Sequence, residues 1–295
     1  MVVPAGSSAL PCLGLPPPRL EALLREWLLE DLGRGDLSAP AVGDRRGRAH
    51  WIARQDGVLC GAPLVEPLFR LLDAAVEVRW RVGDGQAVAA GQRLVELAGP
   101  AAALVAGERT ALNLVMHLSG IATATAALVA ELSGSGVRLA DTRKTTPGLR
   151  LLEKYAVRCG GGVNHRLGLD DAAMLKENHL AWSLGIAPAV AAVRGAAPWP
   201  ARLIVEAETE AEAEAAVRAG ADAVLLDGFD APQLAALVPR LRAIATAGLV
   251  LEASGVAPEQ LRAVAASGVD LISTSAPVTR SAWLDISMRF DDDRI

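Results

Sequence analysis

Apolar residues recur at helical spacing from about Leu20 to Asp31, in LEALLREWLLED, which predicts an amphipathic helix. After Ser38 the period shortens. The runs RAHWIARQDGVLCG and VEVRWRVGDGQAVAAGQRLVELAG read as short strands, punctuated by turn formers at Gly57, Gly61, Gly83-Asp84-Gly85 and Gly91. They predict a mixed module that leans antiparallel.

From about Ala111 the pattern becomes repetitive. The helix-like ERTALNLVMHLSGIATATAALVAELSG leads to the apolar run VRLAD at 137–141. A loop, a helix expected over 149–158 and a second loop precede AAMLKEN at 172–178. Four more runs follow: LIVEAE (203–208), AVLLDGF (223–229), LVLEASG (249–255) and LISTSA (271–276). Strands alternating with helices imply a parallel sheet with right-handed crossovers. Roughly 165 residues supply about six strands, whereas eight βα units usually need about 250, so an incomplete barrel is expected in preference to a full one.

Polar residues gather at the exits of these runs. Asp141, Arg143 and Lys144 follow the first, Lys176 ends the second, Glu206 the third and Asp227 the fourth. Glu252 and Ser254 end the fifth, and Ser273, Thr274 and Ser275 lie in the sixth. At the C-terminal rim of a barrel, or along the carboxyl edge of an open parallel sheet, all of them converge.

Charge sharpens the picture. The chain has a formal net charge of −5, which argues against nucleic-acid binding. Yet between Asp141 and His179 seven basic residues face only five acids. Such a basic island suggests an anion site. All three lysines (Lys144, Lys154, Lys176) fall in this window, and the other basic residues, 26 of 29, are arginine. Cationic exits suit carboxylates or phosphates. Glu206 and Asp227 suit a divalent metal or sugar hydroxyls, and the small residues of the last two exits suit phosphate. Together they point to transfer of a phosphorylated sugar.

Other features exclude more than they assign. No run of eighteen apolar residues escapes charge, Gly or Pro, so no spanning helix and no membrane association are expected. MVVPAGSSALPCLGLPPPRL lacks an early basic cluster and does not read as a secretory signal. Cys12, Cys60 and Cys159 form no CxxC pair, and each is expected to be a small buried apolar residue in a reduced, cytoplasmic protein. His50, His117 and His179 are expected to be structural, and TEAEAEAA (209–216) to be a solvated helix face.

TRKTTPGLRLLEKYAVRCGGGVNHRLGL followed by MLKENH closely resembles the quinolinate phosphoribosyltransferases, the carboxylating nicotinate-nucleotide pyrophosphorylases of NAD synthesis. EDLGRGDLS, GERTALN (107–113), SGIAT (119–123), LLDGF, EASG and LDIS lie in the expected order, so the resemblance covers nearly the whole chain. It implies an α/β fold: an N-terminal α/β sandwich over 1–113, with the tail at about 280–295 a candidate to return to it, and a six- to seven-stranded α/β barrel over 114–279. The implied reaction joins quinolinate to phosphoribosyl pyrophosphate with Mg²⁺, releases pyrophosphate and CO₂, and leaves nicotinate mononucleotide. Active sites shared across a homodimer, or a higher oligomer built from it, are implied too.

Residue by residue, the resemblance implies that Arg143, His165 and Arg166 bind the quinolinate carboxylates, with Arg109 supplied by the neighbouring subunit. Lys144 and Lys176 would contact carboxylate or the phosphoribosyl donor. Glu206 and Asp227 would hold the ribose and, directly or through water, the metal. Ser254, Gly255 and the backbone at Thr274 and Ser275 would meet the 5′-phosphate. A planar dicarboxylate suits guanidinium forks, and a compact ammonium fits where a fork is too wide. Lys154 falls in a predicted helix and is expected to make a surface ion pair.

Four places depart from the family pattern. Ile204 stands where an acid is frequent, Gly228 where Asn is usual, and Val256 where a second glycine is usual; STSAP replaces a glycine-bearing SxG segment. All lie on the sugar-phosphate side. STSAP is similar to molybdenum-transport-associated relatives, which supplies one alternative function. A non-catalytic anion-binding regulator is another.

Overall fold

The computed structural model describes residues 13–291, so the expectation for Cys12 lies outside the described residues. In chain order the elements begin with α1 (Pro17–Leu32), β1 (Arg46–Ala53), β2 (Gly57–Val58), α2 (Ala62–Leu72), β3 (Glu77–Trp80), β4 (Ala87–Val88) and β5 (Arg93–Pro100). Next come α3 (Ala101–Glu131), β6 (Arg138–Ala140), α4 (Arg150–Cys159), β7 (Ala173–Leu175), α5 (Glu177–Leu180) and α6 (Ile186–Ala196). The series ends with β8 (Leu203–Ala207), α7 (Glu210–Arg218), β9 (Ala223–Asp227), α8 (Ala231–Ile244), β10 (Val250–Ser254), α9 (Leu261–Ala265), β11 (Leu271–Ser273), α10 (Ala276–Arg280) and β12 (Ile286–Phe290). Two compact units divide them. Residues up to 126, 146–161 and 280 onward make the first; 127–145 and 162–279 make the second.

The first unit is built on an antiparallel sheet in the order β12-β1-β5-β3. Trp51, fully buried on β1, meets Trp80 of β3 edge to face, with ring centroids 5.9 Å apart. That contact fastens two strands through a favourable quadrupole arrangement. His50 bonds Asp291 beyond β12 at 2.8 Å, a structural use as expected. The long helix α3 reaches the length and apolarity of a membrane-crossing helix by those measures alone, but 44% of its apolar stretch is buried inside the protein. Gly120 on α3 is required by close approach: a Cβ there would collide with the Ala282 carbonyl on the way to β12.

Helix α4 departs from expectation. Leu152 through Val157 are all buried, and Lys154 is only 1% exposed, so it is not a surface residue. Cys159 is also unlike its expectation, being partly exposed, whereas Cys60 is fully buried.

In the second unit all six strands run parallel, in the order β6-β11-β10-β9-β8-β7. The free edge of β6 takes a single-residue bridge from Val163 in place of a seventh strand. The α/β class, with a parallel sheet and a separate antiparallel one, is the expected class. Alternation sorts the strand residues. Leu175, Leu203, Val205, Val224, Leu226, Leu251, Ala253 and Ile272 join the main core with helices α6 to α9. Met174, Ile204, Ala223 and Leu225 form a smaller cluster on the opposite face. Ile204 therefore has an inner packing role.

Helix starts in this unit are chemically specified. Thr209 with Glu212, and Asp230 with Gln233, form reciprocal capping boxes at α7 and α8. The acids of 209–216 face outward while Ala213, Ala216 and Val217 are buried, as expected of a solvated amphipathic helix.

Candidate active site

The same alternation that buries Leu175, Val205 and Leu226 turns their neighbours Lys176, Glu206 and Asp227 to the inner face, where strands β7, β8 and β9 end. Glu252 and Ser254 share that face on β10, and Ser254 sits directly opposite Asp227 in the ladder. Thus one parity along four strands collects the polar groups.

Lys176 Nζ pairs with Glu206 Oε2. The backbone N–H of Lys176 donates to His179 Nδ1 at 3.2 Å, and the His179 N–H returns to the Lys176 carbonyl at 2.8 Å. His179 therefore shapes the turn that presents Lys176. Carboxylate oxygens of Glu206, Glu208 and Asp227 lie within 4.8 Å of one another. The hydrogen bond to Glu177 and its charge push the Glu208 carboxyl above its ordinary value, with burial, Asp227 and Glu212 adding to the shift. Crowded hard oxygen donors of this kind fit Mg²⁺, which would relieve their repulsion.

The segment after the Val163 bridge is tied down by Asp141, only 1% exposed at the end of β6. Its Oδ1 accepts the His165 N–H at 2.8 Å and its Oδ2 accepts the Asn164 side chain at 2.6 Å. The Arg166 N–H donates to His165 Nδ1 at 2.7 Å, so the ring proton sits on Nε2, which faces Glu252 Oε2 at 3.1 Å. Both ring nitrogens of His165 are thus engaged by the protein. These bonds hold the loop that carries Arg166.

Arg166 is 9% exposed, and its guanidinium donates to the Ala172 carbonyl at 3.1 Å. Burial lowers its pKa and the neighbouring Arg143 adds to the shift, while Glu206 and Asp171 oppose it. Two guanidiniums within electrostatic reach of each other make a place that favours an anion. Arg143 is half-buried and Lys144 is exposed, two consecutive cations on the loop after β6.

Gly255 has φ +74°, and a Cβ there would stand 3.4 Å from Asp227 Oδ1, so the backbone lies close against that carboxylate. Thr274 spends its N–H on the Ala140 carbonyl at 3.0 Å, and its Oγ1 accepts from Ala276 at 3.2 Å. The Thr274 backbone N–H is therefore hydrogen-bonded within the parallel sheet. Ser275 turns its carbonyl to Val278 and Thr279 at the start of α10.

Arg143, Lys144, His165, Arg166, Lys176, Glu206, Asp227, Ser254, Gly255, Thr274 and Ser275 all lie in the second unit, which brings Lys176, Glu206, Asp227, Ser254 and Gly255 side by side. Arg109 belongs to the first unit, on the exposed side of α3. Sequence reasoning placed Asp141 and Glu252 among the polar strand exits without giving them a role, and it did not single out Glu208. Glu252 was within reach, since it shares the parity of Ser254 two residues on.

The chain matches the family models for the quinolinate phosphoribosyl transferase N-terminal domain over residues 36–119 and C-terminal domain over 121–289. It is 45% identical over 272 residues to a probable nicotinate-nucleotide pyrophosphorylase [carboxylating] of Synechocystis, covering 92% of each chain. It is 36% identical over 277 residues to the human nicotinate-nucleotide pyrophosphorylase [carboxylating], covering 93% of each. The nicotinate-nucleotide pyrophosphorylase structure from Francisella tularensis superposes with a TM-score of 0.90 at 37% identity, covering 95% of this chain and 99% of that one. By both its domain models and its relatives, the chain belongs to the quinolinate phosphoribosyl transferase family.

Proposed function

We propose that the chain is a pentosyltransferase that moves phosphoribosyl from phosphoribosyl pyrophosphate to quinolinate with loss of CO₂, giving nicotinate mononucleotide for NAD synthesis. The observation that supports this is the Lys176–Glu206 ion pair beside Glu208 and Asp227, with buried Arg166 within electrostatic reach of Glu206 and Arg143. The guanidinium pair matches a planar diacid, and the acids beside it match a ribose.

In this reading Arg143, Arg166 and Lys144 hold the two carboxylates and aim the pyridine nitrogen at the anomeric carbon. The new C–N bond forms as the C–O bond to pyrophosphate breaks, through a ribose with cationic character. Asp227 and Glu206 lie where such charge develops, and an ordered array of charges is worth most in a site already arranged for it. Lys176 faces the leaving polyanion. Glu206, Glu208 and Asp227 would hold Mg²⁺, which neutralises pyrophosphate charge when bound. As CO₂ leaves, the pyridinium stabilises the electron pair left on the ring carbon, and that carbon takes up a proton from solvent. No side chain needs to act as a nucleophile.

A homodimer with Arg109 reaching the neighbouring subunit's site, and a cytoplasmic location, belong to the same proposal. The test is release of CO₂ from carboxyl-labelled quinolinate with phosphoribosyl pyrophosphate and Mg²⁺. Stoichiometric CO₂ and nicotinate mononucleotide are expected. Tight quinolinate binding without turnover would favour an anion-binding regulator instead.

A further inference from the structure

The first unit carries a cluster of two thiols and a carboxylate that the proposed reaction does not use. Cys60 follows β2 and Cys159 ends α4, and their Sγ atoms lie within 4.8 Å of each other and of a carboxylate oxygen of Asp84.

Each member is held in place. The Cys60 N–H donates to Ser119 Oγ at 2.9 Å, and the Ser119 hydroxyl returns to the Cys60 carbonyl at 3.2 Å. Asp84 accepts three bonds: from the Gly61 and Ala62 N–H groups at 2.9 Å each and from the Tyr155 hydroxyl at 2.7 Å. A Cβ on Gly85 would be 3.3 Å from the Cys159 carbonyl, so the loop bearing Asp84 packs directly on the end of α4.

We propose that Cys60 and Cys159 form a peroxide-reactive dithiol that closes to a disulfide. Cys159, the partly exposed thiol, is the one a solvent-borne peroxide reaches first. Its sulfur attacks one oxygen of hydrogen peroxide; the S–O bond forms, the O–O bond breaks, and the other oxygen leaves as water after taking a proton. Cys60 sulfur then attacks the Cys159 sulfenic acid. The S–S bond forms and the S–O bond breaks, and the oxygen leaves as a second water with the Cys60 proton, relayed by Asp84. The two sulfurs lose two electrons in all and the peroxide gains them.

The electrostatics assign the roles. Burial pushes the Cys60 thiol well above its ordinary value, with Cys159 and Asp84 adding to this, so Cys60 is not the initial nucleophile. Burial also raises Asp84, against its Gly61, Tyr155 and Ala62 hydrogen bonds, which makes it a better proton acceptor. Two thiols and a carboxylate are also a plausible donor set for zinc. The closeness of the two sulfurs and the three hydrogen bonds already made by Asp84 favour the disulfide.

The full-length reduced protein, treated with hydrogen peroxide, alkylated without reductant and digested with trypsin, tests this. The peptide of residues 55–70 should be found joined to that of 159–166, and reductant should separate them. Cys159→Ser should leave Cys60 fully alkylated after peroxide, while Cys12→Ser should leave the linkage intact. Asp84→Asn should slow closure and let dimedone trap the sulfenic acid at Cys159. Recovery of both peptides unlinked and alkylated, or linkage through Cys12 alone, would overturn the proposal. So would zinc retained at one per chain that shields both thiols from peroxide.

Discussion

The imidazole of His165 stands 3.1 Å from a carboxylate oxygen of Glu252, and the other oxygen of that carboxylate, buried in the sheet interior, has no hydrogen-bond partner among the described residues. Since the Arg166 N–H occupies Nδ1 at 2.7 Å, Glu252 is what fixes the proton on Nε2 and the plane of the ring. Glu252→Ala should take away the charged acceptor facing that N–H, at a stability cost of about 1.5–3 kcal/mol. It should also raise the quinolinate KM more than it lowers kcat, because the displaced element is the loop carrying Arg166. Glu252→Gln keeps an acceptor and should restore most of both. Equal KM values for the Ala variant and wild type, at equal stability, would remove Glu252 from this role.

Arg166→Ala should weaken quinolinate binding by roughly 1.5–3 kcal/mol, the worth of a charged hydrogen bond, and phosphoribosyl pyrophosphate binding by much less. Calorimetry with each ligand separates the two, and an equal loss for both would contradict the assignment. Arg166→Lys keeps the charge without the fork and should not rescue binding.

Asp227→Asn should raise the Mg²⁺ concentration needed for half-maximal rate, since one of three clustered carboxylates is lost. Lys176→Met should leave that Mg²⁺ requirement no higher, because it frees Glu206 from its ion pair. Titration of activity against Mg²⁺ for both variants checks the pair. An unchanged requirement in Asp227→Asn would place the metal elsewhere.

Glu153 gives a pH prediction for the first unit. Burial pushes its carboxyl up, but bonds from His117 at 2.9 Å and from Thr146 outweigh this, so it titrates below its ordinary value of 4.5. A carboxyl with a lower pKa in the folded than in the unfolded chain stabilises the fold above its unfolded value, and loses that contribution as pH falls through the folded one. Thermal unfolding of Glu153→Gln should therefore differ from wild type most at neutral pH and converge with it in acid. A gap that widens in acid would reverse the sign and defeat the argument.

Mixing Arg109→Ala with Arg143→Ala chains should recover activity. After random exchange half of the dimers are hybrids with one intact site, which gives about a quarter of wild-type activity in a two-fold assembly. No recovery despite demonstrated subunit exchange would rule out Arg109 in a shared site.

Much of this was legible in the sequence because parallel strands buried on both faces leave a simple signature: an apolar run with polar residues at its exit. Lys176, Glu206 and Asp227 were found that way, and the alternation explains why they share a face. Residues placed by tertiary contact were not legible. Glu252 meets His165 across 87 positions. Lys154 lies on a helix whose polar composition suggests a surface, yet it is buried because packing surrounds the helix. The single bridge at Val163 has no period at all. The Thr274 N–H meets Ala140, in a strand over a hundred residues earlier.

The unfinished ring of strands has one more implication. Where a continuous ladder would stitch β6 to β7, the backbone contributes one bridge, and the Arg166 side chain spans onward to the Ala172 carbonyl. A diacid gripped by that guanidinium would therefore also rivet the seam. Amide protons near Ala173 and Met174 should exchange with solvent more slowly once it binds, so occupancy can be read as a tightening of the weakest stitch in the wall.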